Sequence, residues 1–468
     1  MWLIFHSVKD FCCANQPQLP RKGSFCYAKA MVIIMKHITK ITAMLLLTVM
    51  AVGCTPANVK LHVGLVTNDE TGDPNATRIE APNMDTSSDV NIRPDETAAP
   101  SVSKPTLPDK PTVPGETRIS FLAAGDNIIH ENVFLDAKSR AGEGEKYNFV
   151  DMYDGVAELI AAADIAFINQ ETPICGDEMG VSGYPNFNTP EAAGDALIEL
   201  GFDIVNIANN HMLDKKHTGY KNTLDYWHER ENDVLMLGGY YNKADYENIR
   251  VYEEQGISIA FVSYTYSTNG MTLPGGSELY VPYINESEII SMTKKASELA
   301  DLVFVVMHWG VENSFAVSAE QKKLARSITE AGADVILGMH AHVIQPIEWL
   351  TASDGSETLV TYSLGNFIST QYENQNLVGG MIAFDIVRSA DGKLSIESPL
   401  YIPTVTHYNK QRLGLQVYLM EDYTEELVAA HGNPNYGTSA GKRIWTMDKI
   451  RSFVTDNVSD EFLPDFLK

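Results

Sequence analysis

The chain has 468 residues, 44% of them hydrophobic, enough for one large folded domain, and its 61 acidic and 35 basic residues give a formal net charge of −26. That sign excludes nucleic acid as a partner, because a phosphate backbone calls for a basic footprint. Five cysteines in this length argue against a disulfide scaffold.

In chain order, residues 1–34, with Cys12, Cys13 and Cys26, match no domain pattern and read as a non-native upstream extension. From Met35 the run Lys36-His37-Ile38-Thr39-Lys40, the apolar stretch Ile41 to Val52 and then Gly53-Cys54 have the form of a bacterial lipoprotein signal peptide over 35–54. The apolar stretch is shorter than the roughly 20 residues a membrane-spanning helix needs. Cys54 is then the lipidation site, and the protein is expected outside the cytoplasm, held to the bacterial cell membrane by that lipid. An uncleaved N-terminal anchor is the competing reading. Residues 55–117 carry prolines at 56, 74, 82, 94, 100, 105, 108, 111 and 114 among Thr, Ser, Asp and Asn, which suits a disordered tether and not a core. After cleavage Cys54 and Cys175 remain, so a lipidated mature chain has no internal disulfide.

From 118 to 405 apolar strands alternate with amphipathic helices. The pattern predicts strands near 118–124, 164–169, 203–207, 234–238, 257–264, 302–308 and 333–338, with helices near 151–162, 190–200, 216–230, 287–299 and 318–331. This is α/β order. From 343 to 403 strands with turns such as Ser353-Asp354-Gly355 and Ala390-Asp391-Gly392 suggest an antiparallel closing portion. Residues 406–468 read as a helical extension, with helices at 421–430 and 446–454.

Polar groups gather where those strands end. Asp126 follows the run from Ile119, Glu171 follows Ile165-Ala166-Phe167-Ile168, and Asn210 and His211 lie in Asn209-Asn210-His211. His308 stands in His308-Trp309-Gly310, and His340 and His342 flank one residue after Val335-Ile336-Leu337. Loops at strand ends are where α/β folds place their chemistry. A single histidine of this kind more often caps a turn, but the whole set reads as a site for one or two divalent ions. Carboxylates, an amide and imidazoles without thiolate suit Mn, Fe, Zn or Mg better than a structural zinc cage.

The ordered motifs Gly125-Asp126, Asn169-Gln170-Glu171-Thr172-Pro173, Ala208-Asn209-Asn210-His211 with Asp214, His308-Trp309-Gly310 with Glu312, Gly338-Met339-His340-Ala341-His342 and Ser363-Leu364-Gly365-Asn366-Phe367 resemble the CapA family of capsule-synthesis proteins, linked to poly-γ-glutamate. The resemblance spans about residues 118 to 405. It implies a four-layer α/β/β/α sandwich of the calcineurin-like metallophosphoesterase type. It further implies Asp126, Glu171, Asn210, His308, His340 and His342 as metal ligands, Glu171 standing where that superfamily has a bridging aspartate. His211 is then the non-ligating imidazole that protonates a leaving group. Asp214 either orients His211 or caps the following helix. Asn169, Trp309, Glu312 and Asn366 are expected around a substrate pocket, although a tryptophan at a strand end is more often packing. Thr265, Tyr266 and Asn269 lie in a family-like stretch. One departure stands out: Asp126-Asn127-Ile128 has isoleucine where phosphoesterases carry a histidine ligand.

Two functional classes follow. One is a surface metal-dependent hydrolase acting on a phosphoester or an amide in capsule polymer synthesis, anchoring or export. The other is a non-catalytic metal- and polymer-binding subunit of a capsule synthesis complex.

Overall fold

A computed structural model describes residues 114–432 and 444–468. Cys54, the signal peptide and the tether up to residue 113 lie outside the described residues. Among the described residues, no helix is long and apolar enough to cross a membrane.

The first half runs β1 (Thr117–Asn127), α1 (Glu131–Ser139), α2 (Asp154–Ala162), β2 (Ile165–Gln170), α3 (Glu191–Leu200), β3 (Ile204–Asn206), α4 (Lys216–His228) and β4 (Leu235–Leu237). A short helix α5 (Lys243–Glu247) and β5 (Arg250–Glu254) lead into β6 (Ile257–Thr265), α6 (Glu286–Ser297), β7 (Leu302–His308), α7 (Ala319–Thr329) and β8 (Val335–Met339). Strands close the domain: β9 (Ile347–Thr351), β10 (Glu357–Thr361), β11 (Asn366–Ile368), β12 (Val378–Arg388), β13 (Leu394–His407) and β14 (Gln416–Leu419). Helices α8 (Glu425–Ala430) and α9 (Met447–Thr455) follow.

The strands form two sheets. The first has the order β14-β13-β12-β1-β2-β3-β4 with β11 also paired to β1, and the second has the order β5-β6-β7-β8-β10-β9. Within them β1 through β4 are mutually parallel, as are β6, β7, β8 and β10, while β12 to β14, β5 and β9 run antiparallel to their neighbours. The parallel strands are apolar on both faces because both faces are covered. Along β7, Phe304 and Val306 join the core between the sheets, whereas Val303, Val305 and Met307 join a second core with Ile289, Met292 and Ala296 of α6 and Ala325 and Ile328 of α7. This alternation is the period of two expected of a strand. Between the sheets, Phe121 of β1 stacks on Phe384 of β12 at 4.9 Å and meets Phe304 of β7 edge-on at 5.1 Å. On the far side of the first sheet, Val156, Leu159 and Ile160 of α2 and Leu197 of α3 bury their apolar stripes. The result is the four-layer α/β/β/α sandwich that the resemblance implies.

The predicted strands and helices all form, within a few residues of their expected limits. Helices α1 and α5 and strand β5 are additions. Helices α1 and α5 are short segments, and β5 is an edge strand in which Val251 and Tyr252 are flanked by Arg250, Glu253 and Glu254, so none of the three carries a strong apolar period. Beyond residue 405 the chain is more than helices: β14 pairs with the end of β13 at the sheet edge, and Ile450, Phe453 and Val454 of α9 pack into the main core.

Candidate metal centre

The carboxyl ends of β1, β2, β3, β7 and β8 converge, and each delivers its motif to one locus. Close backbone approach makes this tight. A side chain at Gly125 would collide with the Gly365 carbonyl, the same oxygen that accepts from Asp126 N at 3.0 Å. With glycine there, β11 lies against the end of β1 and brings Asn366 opposite Asp126. Gly338 likewise lets β8 pass against the Tyr362 carbonyl.

Asp126, Glu171, Asn210, His308, His340 and His342 are all buried. Asp126 Oδ1 accepts from Asn169 Nδ2 at 2.7 Å, and its Oδ2 accepts the His340 backbone N–H at 3.1 Å and lies 3.3 Å from His342 Nδ1. Glu171 Oε1 is 3.6 Å from His342 Nε2. Asn210 Oδ1 accepts from His308 Nε2 at 2.9 Å, which leaves His308 Nδ1 as that ring's lone-pair atom. The His308 and His340 rings lie 4.7 Å apart, and Tyr266 covers His340 at 4.4 Å. His340 (φ 95°) and His342 (φ 58°) both sit in the left-handed backbone region, a strain of about 1–3 kcal/mol each that clusters at functional sites.

Whether this chain suits a cation can be judged from its unsatisfied atoms. Glu171 Oε1 and Oε2, His308 Nδ1 and His340 Nδ1 are buried without a hydrogen-bond partner. A buried polar atom without a partner costs about 1–3 kcal/mol, so several side by side indicate a missing group. The donor atoms fall into two sets, Asp126, Glu171 and His308 in one and Glu312, His340 and His342 in the other, each within 4.8 Å of one another. These residues suit divalent cations.

The electrostatics agree. Burial raises Glu171 well above the usual carboxylate range, and the carboxylates of Asp126, Glu312 and Asp214 add to the rise while His342 opposes it. Burial, with His340, His342 and His211 nearby, holds His308 well below the ordinary histidine value, and burial with His342 and His211 takes His340 down to about 2. Neutral imidazole is the ligating form. Burial also opposes charge on His342, but Glu171 and Asp126 outweigh it and raise that ring to about 9. In effect a proton on His342 stands among carboxylates where a metal charge would serve.

His211 stands beside this set. Its Nδ1 is 2.8 Å from Asp214 Oδ2, and its backbone N–H donates to Asn209 Oδ1 at 2.9 Å. Asp214 therefore orients the imidazole. The same Oδ2 also accepts from Phe187 N at 2.9 Å, and the Phe187 ring meets His211 edge-on at 4.9 Å and His130 at 5.5 Å. Phe187 and His130 lie outside every motif, in stretches without a local signal.

The four expected pocket residues divide. Asn169 is fully buried between Asp126 and Asn206, and Asn366 is buried with its Oδ1 3.0 Å from His342 Nδ1, so both orient residues expected as ligands. Glu312 is exposed and falls with His340 and His342 in the second donor set. Trp309 turns away from the site: it is 2% exposed, stacks on Tyr362 and donates Nε1–H to the Tyr362 carbonyl at 3.0 Å in the outer core. A substrate wall is thus corrected to packing, because the alternation along β7 places His308 and the residue after it on opposite faces.

The family of bacterial capsule synthesis proteins PGA_cap matches residues 120–371. The chain belongs to that family. It is 29% identical over 268 residues to the PGA biosynthesis protein CapA of Bacillus subtilis (strain 168), an alignment covering 54% of this chain and 66% of that protein. It is 30% identical over 190 residues to the capsule biosynthesis protein CapA of Bacillus anthracis, covering 40% of this chain and 44% of that one. The chain thus spans less than two thirds of either relative. Among solved structures, a 5'-nucleotidase precursor from Thermus thermophilus aligns at 14% identity and a TM-score of 0.38, covering 65% of this chain and 54% of that one. The NAD nucleotidase of Haemophilus influenzae aligns at 12% and 0.37, covering 75% and 57%. The matched span, residues 120–371, contains all of the strand-end motifs.

Proposed function

We propose that this PGA_cap protein is a metal-dependent hydrolase of the cell surface that acts on a phosphoester or amide bond during synthesis, anchoring or export of a capsule polymer such as poly-γ-glutamate. The observation that carries the proposal is a set of buried, unsatisfied ligand atoms beside an imidazole that is itself oriented but not part of that set. A bound divalent ion of the Mn, Fe, Zn or Mg type would supply Lewis-acid charge at the scissile group. The protein's own part is proton handling. With Nδ1 fixed on Asp214, His211 presents Nε2 as the atom that passes a proton to the departing oxygen or nitrogen. Asn366 and Asn169 hold the ligands in register, a supporting role on which metal sites depend, while Asn210, whose Oδ1 meets His308 Nε2, belongs to the ligand set itself.

The test is His211→Asn in metal-loaded protein, assayed on phosphodiester and γ-glutamyl substrates. Metal content should be unchanged while turnover falls on the order of 10²-fold to 10⁴-fold. Full complementation of a deletion strain by that variant would instead support a binding subunit, a reading favoured by Ile128, buried where a histidine ligand would stand. Cell-surface placement rests on the Lys36 to Cys54 pattern. Persistent membrane association of a Cys54→Ser variant would remove the lipid anchor from the proposal.

A further inference from the structure

His130 lies near the metal centre, yet it is neither in the ligand set nor the proton donor. It ends the turn after β1 that begins at Asp126, and its carbonyl accepts from Val133 N and Phe134 N at the start of α1. That is the N-cap position, where Ser, Thr, Asp or Asn normally offers a side-chain acceptor to the helix. The His130 ring makes no such bond. Its Nδ1 instead accepts from the Thr370 backbone N–H, at a long 3.4 Å. The lone pair is then on Nδ1, and the neutral ring carries its proton on Nε2. Burial holds this histidine down to about 3, with the charges of His342, His211 and Arg412 acting the same way against the Ile128 carbonyl. The residue is half-buried, and among the described residues no hydrogen bond reaches Nε2. Phe187 ties the ring to His211: its phenyl meets both imidazoles edge-on, and Asp214 Oδ2, which holds His211 Nδ1, also accepts from Phe187 N. A Cβ at Gly183 would lie 2.9 Å from Glu131 N, so the segment leading to Phe187 runs directly against the start of α1.

We infer that His130 is a substrate contact, its Nε2–H donating to an anionic oxygen that flanks the scissile bond while His211 handles the proton. The inference rests on the hydrolase reading and names what that site recognises: a carboxylate of a γ-glutamyl polymer or a phosphoryl oxygen of a phosphodiester. The surroundings change sign across the centre. Around His342 the charges are those of Glu171, Asp126 and Glu312. At His130 they are those of His342, His211 and Arg412, whose guanidinium lies 4.6 Å over the ring of Tyr372, two residues beyond Thr370. A neutral N–H donor among cationic groups suits an anionic acceptor, and a chain of net charge −26 needs such a locus to hold one. The open donor also explains a histidine at a helix start that it does not cap.

The experiment offers the metal-loaded chain poly-γ-glutamate, its neutral methyl ester and bis-p-nitrophenyl phosphate, and reads metal content, thermal midpoint, affinity and turnover. His130→Asn is the discriminating variant, because asparagine is a preferred N-cap that keeps α1 in place but is too short to carry a donor to the Nε2 position. Metal content and midpoint should stay as in wild type. Kd for the acid polymer, KM for the phosphodiester, or both should rise by about 10-fold to 100-fold, the worth of a hydrogen bond to a charged group. His130→Gln, whose longer amide brings an N–H close to the Nε2 position, should recover most of that loss. A loss confined to the acid polymer assigns the oxygen to a carboxylate, and one confined to the phosphodiester assigns it to a phosphoryl group. An equal loss on the methyl ester overturns the inference, as do metal loss from His130→Asn and unchanged affinity for every substrate. Affinity and turnover keep the two readings apart. Wild type that binds the polymer without cleaving it sinks the hydrolase and leaves the His130 effect on Kd standing, whereas normal affinity and turnover in His130→Asn sink the contact and leave the hydrolase.

Discussion

Among the described residues, two clusters of buried histidines differ in what their ring nitrogens touch. In the C-terminal region, His407 Nδ1 is 2.9 Å from the Tyr423 hydroxyl, and His431 Nε2 is 3.1 Å from the Thr406 carbonyl. Those rings pack 5.1 Å from each other, and His431 lies 4.7 Å from Trp445. At the strand ends, by contrast, His308 Nδ1 and His340 Nδ1 face no partner and lie beside carboxylates. Burial alone therefore does not mark a functional histidine. What marks it is burial with the hydrogen-bonding capacity left open, since a fold built only for stability would fill it.

The largest effect should come from removing ligands on one side of this comparison. His340→Ala and His342→Ala should abolish stoichiometric metal in elemental analysis, while His407→Phe keeps it. Metal loss in the His407 variant with an intact fold would break the distinction. Adding the ion at about 100 times its Kd should stabilise wild type by about 2.7 kcal/mol in thermal unfolding and leave the His340 and His342 variants unmoved.

A smaller effect sharpens the comparison within the site. Glu312→Gln should weaken metal by about 10-fold to 100-fold, or leave one ion where wild type holds two. Unchanged affinity and stoichiometry would return Glu312 to the substrate pocket. The glutamate comes from the loop after β7, and its carboxylate lies with His340 and His342 in the second donor set.

The smallest effect concerns the structural pair. Burial lowers His407 to about 4, and burial together with His407 lowers His431 to about 4, so both are neutral in the folded protein near neutral pH. Unfolded histidine titrates near 6.5, so between about 6.5 and 4 the unfolded chain binds more protons than the folded one. Stability is therefore complete above 6.5 and declines as pH falls, by at most about 1.4 kcal/mol per pH unit for each ring. Chemical denaturation at pH 7, 6 and 5 should show a shallower decline for His407→Phe than for wild type. Parallel slopes would mean that the ring does not stay neutral in the fold.

Much of this was legible in the order of residues. Runs such as Ile165-Ala166-Phe167-Ile168 and Val335-Ile336-Leu337 declare buried strands, and the polar residue that follows each declares a strand end. Strand ends in parallel sheets face the same way, so Asp126, Glu171, Asn210, His308, His340 and His342 could be read as one set before any distance was known. Tertiary structure alone decided which groups face that set. Glu312 joined it and Trp309 left it, because neighbours on a strand end point to opposite faces and a loop can return. Phe187 and His130 carry no periodic signal; they meet the site through sheet order and crossovers that bring distant segments together. Local periodicity is fixed by backbone geometry and so is written along the chain. Proximity between segments depends on how two sheets pack, and that is settled only when the whole core forms.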